Sequence, residues 1–214
     1  MLWAKFWVTT HRWLAIVLVS LLVVWSVSGL LFHIKPGWDR AYDQLSVERR
    51  DSVLPLQTFA PPQNLGSSIT RIELFDTAIG PLYRVRTSSG TELYDAATGK
   101  PRTLDATAVR TLIADAIERS QFRAAYGEIT NVAIAGDTAR VMTSGGPVVE
   151  LGVHDARASQ RGRDTDRIDW LYRIHYLQWT GNRTIDKWLA LAGLALIWAV
   201  MIPGVVLFVR RFRR

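Results

Sequence analysis

The chain contains four histidines, His11, His33, His154 and His175, and no cysteine. A neutral imidazole is a common axial ligand of haem iron, and two of them at one depth can hold the iron while it shuttles a single electron. The lack of cysteine excludes disulfides and the thioether attachment of a C-x-x-C-H motif. Any haem here is therefore non-covalent, of the b type.

The spacing of the histidines decides which can meet. His33 lies in SVSGLLFHIKPGW, where a long apolar run ends, and His175 lies in DWLYRIHYLQW just before a second one. In the latter stretch Ile168, Leu171, Tyr172, His175, Tyr176 and Trp179 share one helical face, the pattern of a helix lying in a membrane interface. His33 and His175 thus fall near the same membrane surface and form the candidate haem pair. The alternative for both is an amphipathic residue at the water–lipid boundary, beside Lys, Tyr and Trp. His11 precedes His33 by 22 residues, about 33 Å along one straight helix, so these two cannot share an iron. A haem on His11 requires its second ligand from another copy or subunit; otherwise His11, Arg12 and Trp13 anchor the opposite interface. His154, in GVHDARAS, reads as a solvated turn residue.

Two membrane helices must position these side chains. Residues 13–34 and 188–209 each form a block of 22 residues without Asp, Glu, Lys or Arg, about 33 Å as a helix and enough to cross a hydrocarbon core of about 30 Å. The first block is too long for a signal-peptide core and is followed by no small-x-small cleavage site. Lys5 and Arg12 before it, and Arg210, Arg211, Arg213 and Arg214 after the second block, place both termini in the cytoplasm. The expected order is a cytoplasmic N-terminus (1–12), a first span (13–34), an extracytoplasmic domain (35–187), a second span (188–209) and a basic tail (210–214). The net charge of +7 is accounted for by arginines among anionic headgroups, with no role for nucleic acid.

The segment between the spans carries an internal duplication. RVRTSSG at 84–90 recurs as RVMTSGG at 140–146, an offset of 56. β-Branched runs flank both copies, ITRIELF and TELYDA around the first, ITNVAIA and PVVELGV around the second, and predict antiparallel strands in two small sheets or one composite sheet. Gly90 and Gly146 are expected in equivalent turns with positive φ. Between the copies, Asp105 is a candidate N-cap for a helix burying Val109, Leu112, Ile113, Ala116 and Ile117. Before the first copy, VLPLQTFAPPQNLGSS has three prolines and no comparable helix. The carboxylates of RDTDRID alternate with arginines, which favours local ion pairs over a cation site. No Ser-His-Asp order, Walker loop, dinucleotide fingerprint or His-Glu-x-x-His motif is present.

Several of these stretches resemble a known family. The opening HRWLAIVLVSLLVVWSVSGLL, the turn ELYDAATGK and the closing RIHYLQWTGNRTIDKWLALAGLALIWAVMIPGVVLFVRR are similar to the PepSY-associated transmembrane family of bacterial inner-membrane proteins. In that family a His-Arg-Trp-Leu motif opens the first helix, a Tyr-x-Asp-x-x-Thr-Gly turn closes a PepSY unit, and a histidine precedes the last helix. His11, Tyr94, Asp95, Thr98, Gly99 and His175 occupy those places, with Asp95 directly after Tyr94. The resemblance implies an inner-membrane hairpin of two helices carrying an extracytoplasmic α+β domain of two PepSY-like repeats. Longer relatives include four-helix, haem-containing ferric-siderophore reductases, while other PepSY proteins are linked to protease inhibition or regulation. Three functions follow as expectations: a haem-dependent electron-transfer or ferric-reductase-like component, a non-catalytic binding or regulatory module, and an accessory subunit of a larger membrane complex.

The spans also imply partners beyond the bilayer. Ala192, Ala195 and Ala199 form a small-residue stripe that Ser26 and Gly29 could face within the hairpin; a homo-oligomer or another membrane subunit is the alternative. Pro203 frees a carbonyl in the second span, which calls for a neighbour.

Overall fold

A computed structural model describes residues 2–49, 59–63, 65 and 68–212. In chain order the elements are helix α1 (Leu2–Ile34), a short α2 (Trp38–Tyr42), strands β1 (Ile69–Phe75), β2 (Leu82–Thr87) and β3 (Thr91–Asp95), helices α3 (Ala106–Arg119) and α4 (Arg123–Tyr126), strands β4 (Ile129–Ala135), β5 (Thr138–Thr143), β6 (Val148–Gly152) and β7 (Ala158–Arg161), and helices α5 (Arg163–His175) and α6 (Arg183–Phe212). They form two units: Gly37–Asp166 is the α+β unit, and Met1–Pro36 with Arg167–Arg214 the helical one.

The α+β unit contains two antiparallel sheets, β1-β2-β3 and β4-β5-β6-β7, the first of the two arrangements the strand pattern allowed. Their leading hairpins share a register. Ile69 pairs with Thr87 and Ile129 with Thr143, and each is followed by a bulge before pairing resumes at Arg71 and Asn131. The turns differ, because three residues join β2 to β3 while four join β5 to β6. That extra residue changes the backbone demand: Gly146 has φ +102°, while Gly90 is outside the left-handed region. The expected equivalence of these two glycines is thus incorrect.

Helix α3 follows its sequence pattern. The Asp105 carboxylate accepts from the Ala108 amide at 2.7 Å, satisfying an N–H that the first helical turn leaves without a partner. Val109, Leu112, Ile113, Ala116 and Ile117 are all buried. They join one core with Leu82 and Leu93 of the first sheet, Val141, Val149 and Leu151 of the second, and Leu45, Val47 and Leu104 from the connecting chain.

One buried charge links these layers. Arg84 is 6% exposed; its guanidinium reaches Glu48 at 2.9 Å, Glu73 at 2.8 Å and the Asp155 carbonyl at 2.6 Å, and it sits 4.5 Å over the Phe75 ring. Arg140, its counterpart in the duplicated motif, is exposed on the second sheet. The Arg84 guanidinium, through its hydrogen bond, holds the Glu73 carboxyl below its ordinary range. Arg49 does the same to Asp115, with Arg119 adding to the effect. Burial pushes the Tyr126 phenol up to about 12, and its hydroxyl bonds Gln160 at 2.5 Å.

The Tyr-Asp-x-x-Thr-Gly turn is closed by its aspartate. Asp95 accepts from the Thr98 amide at 2.9 Å and its hydroxyl at 3.0 Å, and pairs with Arg102 at 3.0 Å. Gly99, at φ +70°, leaves no room for a Cβ against the Pro61 carbonyl. Most of the proline-rich stretch expected to lack a helix, residues 53–58, 64, 66 and 67 of 53–68, lies outside the described residues. In RDTDRID, which opens α5, carboxylates pair with arginines outside the stretch, Asp164 with Arg40 from far earlier in the chain and Asp166 with Arg161 at 2.9 Å, where pairs within the stretch were expected. His154, expected to be without a partner, instead has Asp137 3.4 Å from its Nε2, because the β4–β5 turn brings that carboxylate alongside.

Two outcomes follow. Gly146→Val should lower the unfolding free energy of the α+β unit by about 1–3 kcal/mol, because valine resists positive φ, whereas Gly90→Val should change it by less than about 0.5 kcal/mol; urea denaturation followed by far-UV circular dichroism measures both. The second concerns acid. Glu73 and Asp115 have folded-state pKa values below their unfolded ones, so their contribution is fully present above the unfolded carboxylate range near pH 4 and is lost as pH falls through the folded values. The urea midpoint should drop between about pH 4.5 and 2.5, and Arg49→Gln should make that drop shallower.

Candidate functional site

In the helical unit, α1 presents Trp25, Ser28, Gly29 and Phe32, spaced i, i+3, i+4 and i+7 on one face. His175, the last residue of α5, packs there. Its ring stacks on Trp25 at 5.4 Å with 10° between planes, meets Phe32 edge-on at 5.0 Å and Tyr176 edge-on at 5.3 Å. Tyr172, one turn earlier, lies 4.8 Å from Phe32. Gly29 lies against the ring: a Cβ built there would be in ordinary van der Waals contact, 3.6 Å from His175 Cε1.

Ser28 is the hydrogen-bond partner of the imidazole. Ser28 Oγ donates to the Trp25 carbonyl at 2.9 Å, so the same oxygen acts as acceptor towards His175 Nδ1, also at 2.9 Å. A hydroxyl has one proton to give, so with that proton on the Trp25 carbonyl the Ser28 oxygen is open to accept from Nδ1–H. Ser28 is 3% exposed, which keeps water from competing for this bond. No hydrogen bond to Nε2 occurs among the described residues. Metal-ligating histidines commonly have one ring nitrogen held by an oxygen and the other turned to the metal.

The other histidines are placed differently. His33 lies one turn beyond Gly29, at the rim of the same α1 face, and is exposed; among the described residues no hydrogen bond or ring contact joins it to His175. His11 is on α1 at its other end, and its side chain is outside the described residues. His154 is in the α+β unit. No group of three or more His, Asp or Glu residues positioned to hold a metal ion occurs among the described residues.

The helix after His175 turns sharply into the second span. Leu177 adopts φ +55°, an uncommon conformation for a residue with a Cβ, and the Gln178 amide reaches back to the Arg173 carbonyl at 2.8 Å. Asp186 accepts from the Thr180 amide and hydroxyl at 3.0 and 2.8 Å, while Asn182 Oδ1 caps the Thr184 and Ile185 amides. Leu177 packs towards Gly193, its Cδ1 lying 3.9 Å from where a Cβ would be. Gly193, Leu196, Ile197 and Val200, spaced i, i+3, i+4 and i+7, are the half-buried face of α6.

The alanine stripe lies elsewhere on α6. Ala192, Ala195 and Ala199 are exposed, about a third of a turn from the packed face. Gly29, expected to oppose them within the hairpin, is taken by His175, so that expectation is corrected. The sequence reading also left Trp25, Ser28 and Phe32 unassigned. Their spacing around Gly29 was the available signal, but only the position of α5 makes it a histidine pocket.

Searches of curated proteins and of solved structures find no match to the chain. The family model for the PepSY-associated TM region matches residues 8–214, including both spans and the whole α+β unit. Two helices long and apolar enough to cross a membrane, Arg12–Ile34 and Arg183–Ile202, flank that unit. The chain belongs to the PepSY-associated transmembrane region family and is a membrane protein.

Proposed function

We propose that this chain is a non-catalytic binding module of the bacterial inner membrane, built into a larger assembly through its second span. Its termini face the cytoplasm, and the segment between the spans is extracytoplasmic, with its two register-matched hairpins read as PepSY-like repeats. The observation that carries the assembly is the exposed stripe of Ala192, Ala195 and Ala199. Small residues let helix backbones approach closely in lipid, where dispersion and hydrogen bonds drive association. Pro203 has no N–H to give the Ala199 carbonyl, so the same stripe carries a backbone acceptor that a neighbouring helix can satisfy. Within the two spans only 11% and 6% of residues are buried, leaving ample surface for a partner.

The absence of cysteine from the sequence makes the test direct. Ala195→Cys introduces a single thiol, and a bismaleimide applied to native membranes should convert it to a covalent adduct of higher mass. Leu194→Cys, about 100° away from Ala195 on α6, should react far less. Equal yields at both positions would refute the assembly face.

A second reading rests on the placement of the His175 ring, with Nδ1 on Ser28 and no hydrogen bond to Nε2 among the described residues. The bare Nε2 of His175, with His33 at the rim of the same face, fits non-covalent haem b. The cofactor, when bound, supplies one-electron chemistry suited to a ferric-siderophore-reductase-like role. The chain's own part is to hold Nδ1–H on Ser28 and to shield the imidazole with Trp25 and Phe32. His11 is the candidate ligand at the cytoplasmic surface, completed from another subunit. Protein expressed with haem supplied should show a Soret band that His175→Ala or His33→Ala abolishes and His154→Ala leaves unchanged. Ser28→Ala should weaken haem affinity by about 10–100-fold. Haem-free protein under these conditions would eliminate this reading and leave the first intact.

A further inference from the structure

We propose that the turn between α5 and α6 holds the phosphodiester headgroup of an anionic phospholipid. A cavity of about 690 Å³ opens there, lined by Arg173, Arg183 and Lys187 with Asp186, Tyr176 and Gln178. All three cations are exposed, and among the described residues none has a side-chain hydrogen bond or an ion pair. Arg183 and Lys187 are four apart on α6 and share a face, while Arg173 comes from the preceding helix. Three positive charges brought to one cavity repel one another unless an anion joins them.

The local carboxylate does not fill that role. Asp186 is buried, and its Oδ1 is committed to the Thr180 amide and hydroxyl, locking the turn. The cavity retains a formal charge of +2, three cations less one carboxylate. The first amides of α6 are capped by Asn182, so side chains would make the recognition: two guanidinium forks suited to phosphate oxygens and one ammonium.

The depth identifies the source of the phosphate. Arg183 opens the apolar span, and Tyr176, Trp179 and Trp188 around it are 58%, 52% and 68% exposed, as aromatic side chains are at the headgroup level. A cationic cavity at this level faces lipid phosphates rather than bulk solute. The site does not depend on a partner at the alanine stripe or on haem at His175.

Native mass spectrometry of the full-length protein in detergent tests the site, with dioleoylphosphatidylglycerol, dioleoylphosphatidylcholine and inorganic phosphate as probes. Phosphatidylglycerol should be retained at least about tenfold better than phosphatidylcholine, with each cation worth about fivefold. The triple variant Arg173→Gln/Arg183→Gln/Lys187→Gln should fall to the phosphatidylcholine level, whereas Arg140→Gln/Arg163→Gln, which removes exposed charges of the α+β unit, should not. Arg173→Lys/Arg183→Lys should keep much of the preference, and the single glutamine variants supply a graded series should the triple variant fail to insert. Equal retention of the two lipids by the native protein, or a preference untouched in the glutamine variants, would overturn the proposal. Displacement of phosphatidylglycerol by equimolar inorganic phosphate would overturn it in favour of a soluble-anion site.

Discussion

The α+β unit is organised around the buried guanidinium of Arg84. Removing such a charge from water costs several kcal/mol unless its donors are satisfied. Glu48, Glu73 and the Asp155 carbonyl satisfy them, and Phe75 covers the guanidinium. These partners come from the chain entering the domain, from β1 and from the loop after β6. A single side chain thereby ties the entry segment to both sheets, at a point where α3 has already brought their apolar faces into one core. The same contacts hold Glu73 in its charged form.

A comparable joint in the helical unit is made by an imidazole among aromatic rings. His175 is held by Ser28 and by the rings of Trp25, Phe32 and Tyr176, against Gly29. In a bilayer a polar group on a helix must find an internal partner or reach the interface. His175 does the first through Nδ1, and this leaves Nε2 as the one polar atom of the ring whose use is open. Among the described residues of α6, Asp186 is buried, Gly193, Leu196, Ile197 and Val200 are half-buried along one face, and the alanine stripe is exposed.

Burial separates the two copies of the recurring motif. Arg84 and Arg140 occupy the same place in RVRTSSG and RVMTSGG, yet one is enclosed and the other exposed. The leading strands kept their register and their bulge in both sheets, because slipping by one residue would turn the core face outward. The turns were under no such constraint. The β5–β6 turn is one residue longer than the β2–β3 turn, and of the two it alone places a glycine at positive φ.

The sequence by itself determined the features that depend on local periodicity and on length. Two uncharged stretches of 22 residues establish two helices able to cross a membrane. Alternation of β-branched residues marks the strands, and the spacing of Val109, Leu112, Ile113, Ala116 and Ile117 marks the buried face of α3 together with its Asp105 cap. Only the tertiary structure decided which distant groups meet. Whether Gly29 served the alanine stripe or a histidine depended on where α5 docks, 147 residues after Ser28 in the case of the hydrogen bond to His175. The grouping of Arg173 with Arg183 and Lys187 likewise depends on a turn in which Leu177 takes a backbone conformation that its side chain does not favour. Such pairings follow from the packing of whole elements, and short-range sequence patterns carry no record of them.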